Sequence, residues 1–566
     1  MNKRWIIRKH DADTVNALAA ELNVLPLVAA LLISRGYHTK EKAERFLDPT
    51  LDQLHDPSLL KGMTEAVARI KSAIERKEKI LVWGDYDVDG TTGTALLRKM
   101  LSLFGCESTF HCPNRFTEGY GVNIPALENA KRDDVTLVIT VDCGIRSFEP
   151  VEWAAANGLD VIITDHHLSD EARGVPKAVA VIDPNQTGCI YPDKTLAGVG
   201  VAFKLAHALL RDAGREDEIG QFLKIAAIGT VADVVDLTGE NRAIVTLGLR
   251  DLTKTDNLGL KALMEVADCR SDMTSYHIGF RIGPRINAAG RMDVAKHVVE
   301  LLETQDFNEA RRLAEMLDSR NRERQKVQQL ITDLALTEAA SAGDASFIVV
   351  AGQGWHKGVI GLAASRIAEK LFRPTLVLTI SDGIAHGSAR SIPGFHLLDA
   401  LDSCSDLFHQ YGGHAAAAGV TLGEERIAAV KDRLNQHAIA TFADRDLHPE
   451  LHIDALLRSR SLNLQLVEQL SAFEPYGAGN PKPVFVTRDL VLGGEPYVMK
   501  EKHLKLRLID EDGRAFEAVW WDGVEKSKGQ TLKVNSRIEL AYVAEANSWQ
   551  GNTRLQLVVE DLRVNN

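Results

Sequence analysis

Three aspartates alternate in Gly84-Asp85-Tyr86-Asp87-Val88-Asp89-Gly90. Carboxylates this close repel one another, and a loop that gathers them is destabilised unless cations neutralise it. A solvated turn or a helix N-cap accounts for one such aspartate, but hardly for three. An EF-hand is the obvious competitor, yet a helix follows at once and no glutamate closes a twelve-residue loop. Asp142, in Thr140-Val141-Asp142-Cys143-Gly144, is a weaker signal, because a capping aspartate has the same appearance. Asp165-His166-His167 is more specific. Neutral imidazole suits Mn²⁺ and other borderline divalent ions and is rare around Mg²⁺. The alternative, a pair of surface histidines, fits poorly with a position directly after Val161-Ile162-Ile163. Asp233 lies inside the apolar run Gly229-Thr230-Val231-Ala232-Asp233-Val234-Val235, where an unpaired carboxylate is expensive. Two divalent ions bridged by such carboxylates suit phosphoester hydrolysis, one activating water and both stabilising charge on the attacking and leaving oxygens.

The elements that must position these residues are legible as strands and helices. Lys79-Ile80-Leu81-Val82-Trp83 reads as a buried strand, followed by the acidic loop and a helix from Ala95 to Phe104. Leu137 to Val141 precedes Asp142, and Asp160 to Ile163 precedes Asp165. Short apolar runs between helical stretches predict an α/β domain with a parallel sheet. Ligands in such sheets bind beyond the carboxyl ends of the strands, where all these clusters fall. Residues 14–47 read as short amphipathic helices, and residues 307–342 as a long charged connecting helix ended by Gly343. A second, smaller α/β unit starts at Phe347-Ile348-Val349-Val350. Residues 484–566 alternate as short strands with turn signals, which predicts an OB-like β-barrel. The expected organisation is an N-terminal helical extension (1–48), a catalytic α/β domain (49–300), a connecting helix (301–344), a smaller α/β domain (345–446) and the barrel (447–566).

With 566 residues the chain is long enough for three or four domains. Its 66 Lys and Arg against 78 Asp and Glu give a net charge of -12, so any nucleic-acid site must be a local basic groove on an acidic body. Six scattered cysteines form no CxxC pair, which argues against structural zinc and a disulfide framework. The N-terminal residues contain no signal-peptide pattern, and the apolar stretch Val24 to Ile33, interrupted by Pro26, is too short to span a bilayer. A soluble cytoplasmic protein without membrane partners is expected.

GDYDVDG, VDCG, TDHH and GTVADVV resemble, in order, the four motifs of the DHH phosphoesterase family. Gly354 to Gly361, Gly387-Ser388-Ala389-Arg390-Ser391 and Gly412 to Gly419 resemble its DHH-associated domain. Arg281 to Arg291 and Pro113 to Gly121 are similar to the branch of that family formed by single-strand-specific exonucleases, and the resemblance covers about residues 45 to 566. It implies two divalent ions, Mn²⁺ or Mg²⁺, held by Asp85, Asp87, Asp142, His166 and Asp233, with Asp142 bridging. Asp89 and His167 would be nearby ligands or phosphate contacts. Many family members carry a histidine four residues before the first aspartate; here that position is Leu81, which leaves Asp89 as a candidate in its place.

The implied activity is 5′→3′ removal of mononucleotides from single-stranded DNA in recombination and repair, including mismatch repair. The implied partners are a single-stranded-DNA-binding protein and a repair helicase, and a monomer is expected. Arg115, Ser388 and Arg390 are the candidates to hold a terminal 5′ phosphate. The glycines before His414 permit close approach of a ligand and make His414 a further candidate, against the alternative of a core histidine beneath a small-residue helix. Phe116, Tyr120, Arg281, Arg285 and Arg291 are candidates to line a single-strand channel by stacking and phosphate contacts. In the barrel, Lys505, Trp520 and Trp521 either extend that track or belong to the core. Three alternatives stand beside the exonuclease: a small-substrate enzyme such as an oligoribonuclease or cyclic-dinucleotide phosphodiesterase, a non-catalytic DNA-binding scaffold, and an inorganic pyrophosphatase. Chain length, the barrel and RINAAGR disfavour the first; the retained carboxylates disfavour the second; the third needs no third domain.

Overall fold

The structure is a computed structural model describing residues 3–115, 117–270, 273–291, 295–341, 343, 345–443, 448–528, 530–549 and 552–565. The chain divides into two compact units, one built mainly from residues 316–449 and the other mainly from residues 5–290 and 450–566.

The larger unit contains a five-stranded parallel sheet in the order Ser108–His111, Lys79–Gly84, Val135–Val141, Asp160–Thr164, Ala180–Ile182. Its central strands are near-continuous apolar runs, as a sheet covered on both faces requires. After Lys79–Gly84 the chain moves to one side for Ser108–His111 and then crosses to the other for Val135–Val141. The strand order therefore reverses between Lys79–Gly84 and Val135–Val141, which opens a crevice at their carboxyl ends. Asp85 and Asp142 directly follow these two strands, and the Asp85 N–H donates to the Val141 carbonyl across the gap.

The helix after the acidic loop spans Val88–Leu103 and so begins seven residues before the expected Ala95. Asp87 caps it, accepting from the Gly90 N–H at 3.1 Å. The glycines of its first turns are packing requirements. A Cβ on Gly90 would lie 2.5 Å from the Asp85 nitrogen, and one on Gly93 would lie 2.4 Å from Val141.

The C-terminal strands close into a ring. Phe485–Leu492 pairs with His503–Ile509, which pairs with Ala515–Trp520; Asn552–Asn565 and Arg537–Trp549 complete the circuit back to Phe485–Leu492. A five-stranded closed barrel of this kind is the expected OB-like element. The N-terminal helices Ala12–Leu22, Pro26–Ser34 and Lys40–Leu47 share its core: Leu31, Leu32 and Phe46 pack in one cluster with Phe485, Leu506 and Tyr542. Pro26–Ser34 is not amphipathic; it is apolar all round and buries Val28 through Leu32. Among the described residues no single helix is long and apolar enough to cross a membrane.

A buried polar cluster ties the sheet domain to this core. Lys204 and Glu240, both fully buried, pair at 2.7 Å. Lys204 also donates to the His55 carbonyl at 2.6 Å, and Glu240 accepts from the His55 N–H and the Tyr191 hydroxyl. Arg242 donates to the carbonyls of Phe46, Ala472, Phe473, Glu474 and Pro475 and stacks 3.8 Å over the Phe46 ring. Asn480 donates to the Phe473 and Pro475 carbonyls, and the Ala478 carbonyl accepts from the Leu237 N–H. Residues 472–480 are thereby fastened to the segment that follows Asp233.

The smaller unit has a mixed sheet. Ile348–Gln353 and Thr375–Ser381 are parallel, and Ile384–Arg390, Ala417–Gly423 and Gln410–Gly413 continue it antiparallel. Helices Lys357–Leu371 and Ile427–Phe442 accompany it. The 35-residue helix Phe307–Ser341 is continuous, as its breaker-free sequence predicts.

Candidate metal centre

The strand ends and the end of helix Leu223–Ala232 bring seven sequence-selected side chains into one pocket. Ligand atoms of Asp85, Asp87 and Asp142 lie within 4.8 Å of one another, as do those of Asp89, His166 and Asp233, and those of Asp142, His166 and His167. His166 is central: its Nε2 is 3.1 Å from Asp142, 3.6 Å from Asp233 and 3.8 Å from Asp89. Asp142 sits between the groups with a left-handed backbone, φ 60°, which is uncommon outside glycine. The backbone of helix Gly198–Asp212 approaches it so closely that a Cβ on Gly198 would lie 2.6 Å from the Asp142 Cβ.

Burial and mutual repulsion dominate the electrostatics. Burial, then Asp87, pushes Asp85 well above the usual carboxylate range. Burial followed by the charges of Asp89, Asp87, Asp85 and Asp233 does the same to Asp142. Asp89 rises to about 7 and Asp233 to about 9, each through burial first and neighbouring carboxylates second. His166 falls to about 4, through burial and the adjacent His167, which keeps its ring neutral. Asp85 Oδ1, Asp142 Oδ1 and His166 Nε2 are all buried without a hydrogen-bond partner. Native proteins seldom leave such atoms unsatisfied. Mixed carboxylate and imidazole donors fit divalent ions such as Mn²⁺.

Several residues hold this arrangement without having stood out as ligands. Asp165 Oδ1 accepts from His167 Nδ1 at 2.8 Å and from the His166 N–H, while Oδ2 accepts from the Ile145 N–H. Burial works against a charge on His167, but the bond to Asp165 outweighs it and raises the ring above its ordinary value. Asn185 donates to the His166 carbonyl at 2.7 Å, and Asn287 accepts from the Val88 N–H. Asp165 was signalled by the motif itself, but nothing in the sequence pointed to the two asparagines. Asp89 also anchors a neighbouring helix, because its carboxylate accepts from Gly198 N–H at 2.6 Å and Val199 N–H at 2.7 Å at that helix's start. Leu81 is a buried core residue of its strand.

The proposed substrate-contacting residues divide. Tyr120 is half-exposed at the pocket, its hydroxyl donating to the Asp142 carbonyl at 3.1 Å. The Arg115 guanidinium lies 5.1 Å over the ring of Tyr86, an aromatic that sequence reasoning overlooked inside the acidic motif. Arg281 donates to the Asp268 carbonyl, and Arg285 to those of Arg281 and Val266. Both are engaged with backbone carbonyls beside the end of helix Leu258–Val266, a local reason for arginine independent of a channel. Arg291 donates to the Gly358 carbonyl. Phe116 lies outside the described residues.

In the smaller unit, Arg390 donates to Ser388 Oγ at 2.9 Å. A Cβ on Gly361 would meet that hydroxyl at 2.9 Å and the guanidinium at 3.1 Å, so the glycine keeps a cradle open at both. His414 is exposed in the turn between two antiparallel strands, so the reading as a core histidine under a helix is replaced. In the barrel, Trp520 is core, Trp521 is half-exposed against His503, and Lys505 pairs with Glu517 at 2.7 Å.

Comparison with known proteins supplies the relatives. Family models match for the DHH family N-terminal domain over residues 79–230, the DHHA1 domain over 344–440 and the RecJ OB domain over 453–561. The chain is 40% identical to the single-stranded-DNA-specific exonuclease RecJ of Bacillus subtilis, covering 99% of this chain and 71% of that protein. It is 34% identical to the protein of the same name from Escherichia coli, covering 99% and 100%. The crystal structure of RecJ in complex with Mn²⁺ from Thermus thermophilus superposes with a TM-score of 0.86 at 31% identity, over 100% of this chain and 80% of that one. A second Thermus thermophilus RecJ structure, in complex with Mg²⁺, gives a TM-score of 0.79.

Proposed function

We infer the reaction from one premise, that this chain belongs to the RecJ family of DHH phosphoesterases. It is a metal-dependent exonuclease specific for single-stranded DNA. The observation that supports this site for the chemistry is the convergence of three buried atoms without partners, on Asp85, Asp142 and His166. Asp85, Asp87 and Asp142 would hold one divalent ion; Asp142, His166, Asp233 and Asp89 would hold the other. When bound, the pair supplies a hydroxide nucleophile and neutralises charge on the phosphate oxygens. The protein residues do the rest. Asp165 fixes the ring of His167 and favours its cationic form, which faces an anionic phosphate at the pocket mouth. Tyr120 and the stacked pair Tyr86–Arg115 position the strand beside the carboxylates. The catalytic set is then Asp85, Asp87, Asp142, His166, His167 and Asp233.

Polarity is assigned to the smaller unit. Ser388 and Arg390 hold a terminal 5′ phosphate, because a hydroxyl and a planar guanidinium beside an open glycine match its oxygens. The reading includes 5′→3′ release of mononucleotides in recombination and repair, action as a monomer in the cytoplasm, and work alongside a single-stranded-DNA-binding protein and a repair helicase. Purified protein with Mn²⁺ is incubated with single-stranded DNA labelled at either end, beside matching duplex and short RNA. Early release of 5′ label as mononucleotide is expected. Early 3′ release, or preference for di- to pentanucleotides, would refute the polarity or the substrate class.

A further inference from the structure

Two aromatic rings outside the metal centre have no packing explanation. Tyr276 and Phe280 are 53% and 71% exposed, yet their rings stack on one another with centroids 5.0 Å apart and planes 28° from parallel. They flank the start of a π-helical turn, Ile278–Ile282, whose other side buries Ile278 and Ile282 completely. Single π-turns concentrate at functional sites, where they set side chains at angles an α-helix does not provide. The turn is firmly held. Ser275 donates to the Tyr476 carbonyl in the fastened 472–480 segment, Thr274 and His277 form a capping box, and Arg281 donates to the Asp268 carbonyl. The two rings are therefore presented to solvent by a rigid support, not by a loop end.

That support leads into the metal centre. The turn packs on helix Leu223–Ala232, which ends at Asp233. The next helix, Gly283–Arg291, starts at Gly283, where an added Cβ would lie 3.5 Å from the Ala232 Cβ, and reaches Gly290, where an added Cβ would lie 2.4 Å from the Tyr86 carbonyl. Seven residues at 1.5 Å rise span about 10 Å. The turn that carries the stacked pair thus adjoins the helix that ends at Asp233 and leads into the helix that packs on the acidic loop, on the same unit.

We propose that Tyr276 and Phe280 form a stacking platform for bases of the single-stranded DNA just beyond the scissile end. The proposal rests on the exonuclease reading and adds a length- and stacking-dependent subsite to it. Base–aromatic stacking is tolerant of sequence and contributes strongly to single-strand binding. With Arg281 and Arg285 directed to backbone carbonyls, the aromatic faces are the part of this turn that a strand would meet.

The test uses the full-length chain, Phe280→Ala, Tyr276→Ala and Phe280→Trp on a thymidylate ladder from the dinucleotide to a 20-mer with Mn²⁺. It also uses a 20-mer with 2-aminopurine at successive positions, bound in EDTA. The alanine variants are expected to raise KM for the 20-mer on the order of tenfold, with kcat and dinucleotide cleavage unchanged. 2-Aminopurine quenching near the 5′ end is lost with Phe280→Ala and kept with Phe280→Trp. Unchanged KM and quenching in an active alanine variant overturn the platform. So does an equal loss on every length, or a change of oligomeric state with quenching intact. A wild-type chain inert on all DNA overturns the exonuclease reading itself, a result distinguishable from failure of the platform alone.

Discussion

Two buried polar clusters lie in the same unit and differ in one respect. In the Lys204–Glu240–Arg242 cluster each charged group meets an opposite charge or backbone carbonyls: Lys204 has Glu240 and a carbonyl, Glu240 has Lys204, an N–H and a hydroxyl, and Arg242 has five carbonyls and a ring. In the metal pocket, Asp85, Asp142 and His166 each keep a buried atom without a hydrogen-bond partner, and carboxylates face carboxylates. The difference separates architecture from chemistry. Burial alone does not mark a functional charge; what sets this pocket apart is that several uncompensated atoms converge on one place, where a ligand can meet the deficit.

The largest expected effect comes from the uncompensated side. Asp142→Ala removes the carboxylate shared by two ligand groups and should lower kcat by about a thousandfold or more, since metal-assisted charge stabilisation is worth several kcal/mol. Its melting temperature without metal should be equal to or above that of the wild type, because a buried oxygen without a hydrogen-bond partner has gone. A variant that still hydrolyses DNA would remove the bridging role. Next is Lys204→Met, which leaves Glu240 buried with a charge and should destabilise by about 3–5 kcal/mol. Adding Glu240→Leu should recover much of this, and denaturant titration of single and double variants decides it. No recovery in the double variant would mean the cluster is not coupled as an ion pair.

The smallest effect concerns pH. Asp89 and Asp233 stay protonated in the metal-free fold until about 7 and 9, but unfolded aspartate ionises near 4. Between those limits the native state binds more protons, so stability from these groups is full below pH 4 and is lost as pH rises to about 9. Thermal melts in EDTA should therefore decline across this range by more than melts in saturating Mn²⁺. Parallel curves with and without Mn²⁺ would show that the carboxylates are not the ion's ligands.

Much of the metal pocket was legible because its residues directly follow apolar strands, and strand ends are recoverable from local runs such as Val161-Ile162-Ile163. The early start of helix Val88–Leu103 was not, since glycines and aspartates disfavour helix locally and only tertiary contact with Val141 and Asp85 explains them. The roles of Asp165, Asn185 and Asn287 depend on contacts between distant segments. An arginine's partner is likewise invisible in sequence: Arg281 and Arg285 each donate to backbone carbonyls, which no motif announces. The place of residues 12–47 in the barrel core was illegible for the same reason. Nothing in Pro26–Ser34 names the surface that covers it.

That shared core bears on how the chain is made. Leu31, Leu32 and Phe46 are synthesised long before Phe485, Leu506 and Tyr542 that bury them. At about 5–20 residues per second, the interval between them is on the order of half a minute on the ribosome. During it the all-apolar helix Pro26–Ser34 has no barrel to enter, whereas the parallel sheet around the metal pocket is already complete by Ile182. The opening helices are thus the part of this unit whose native core is synthesised last.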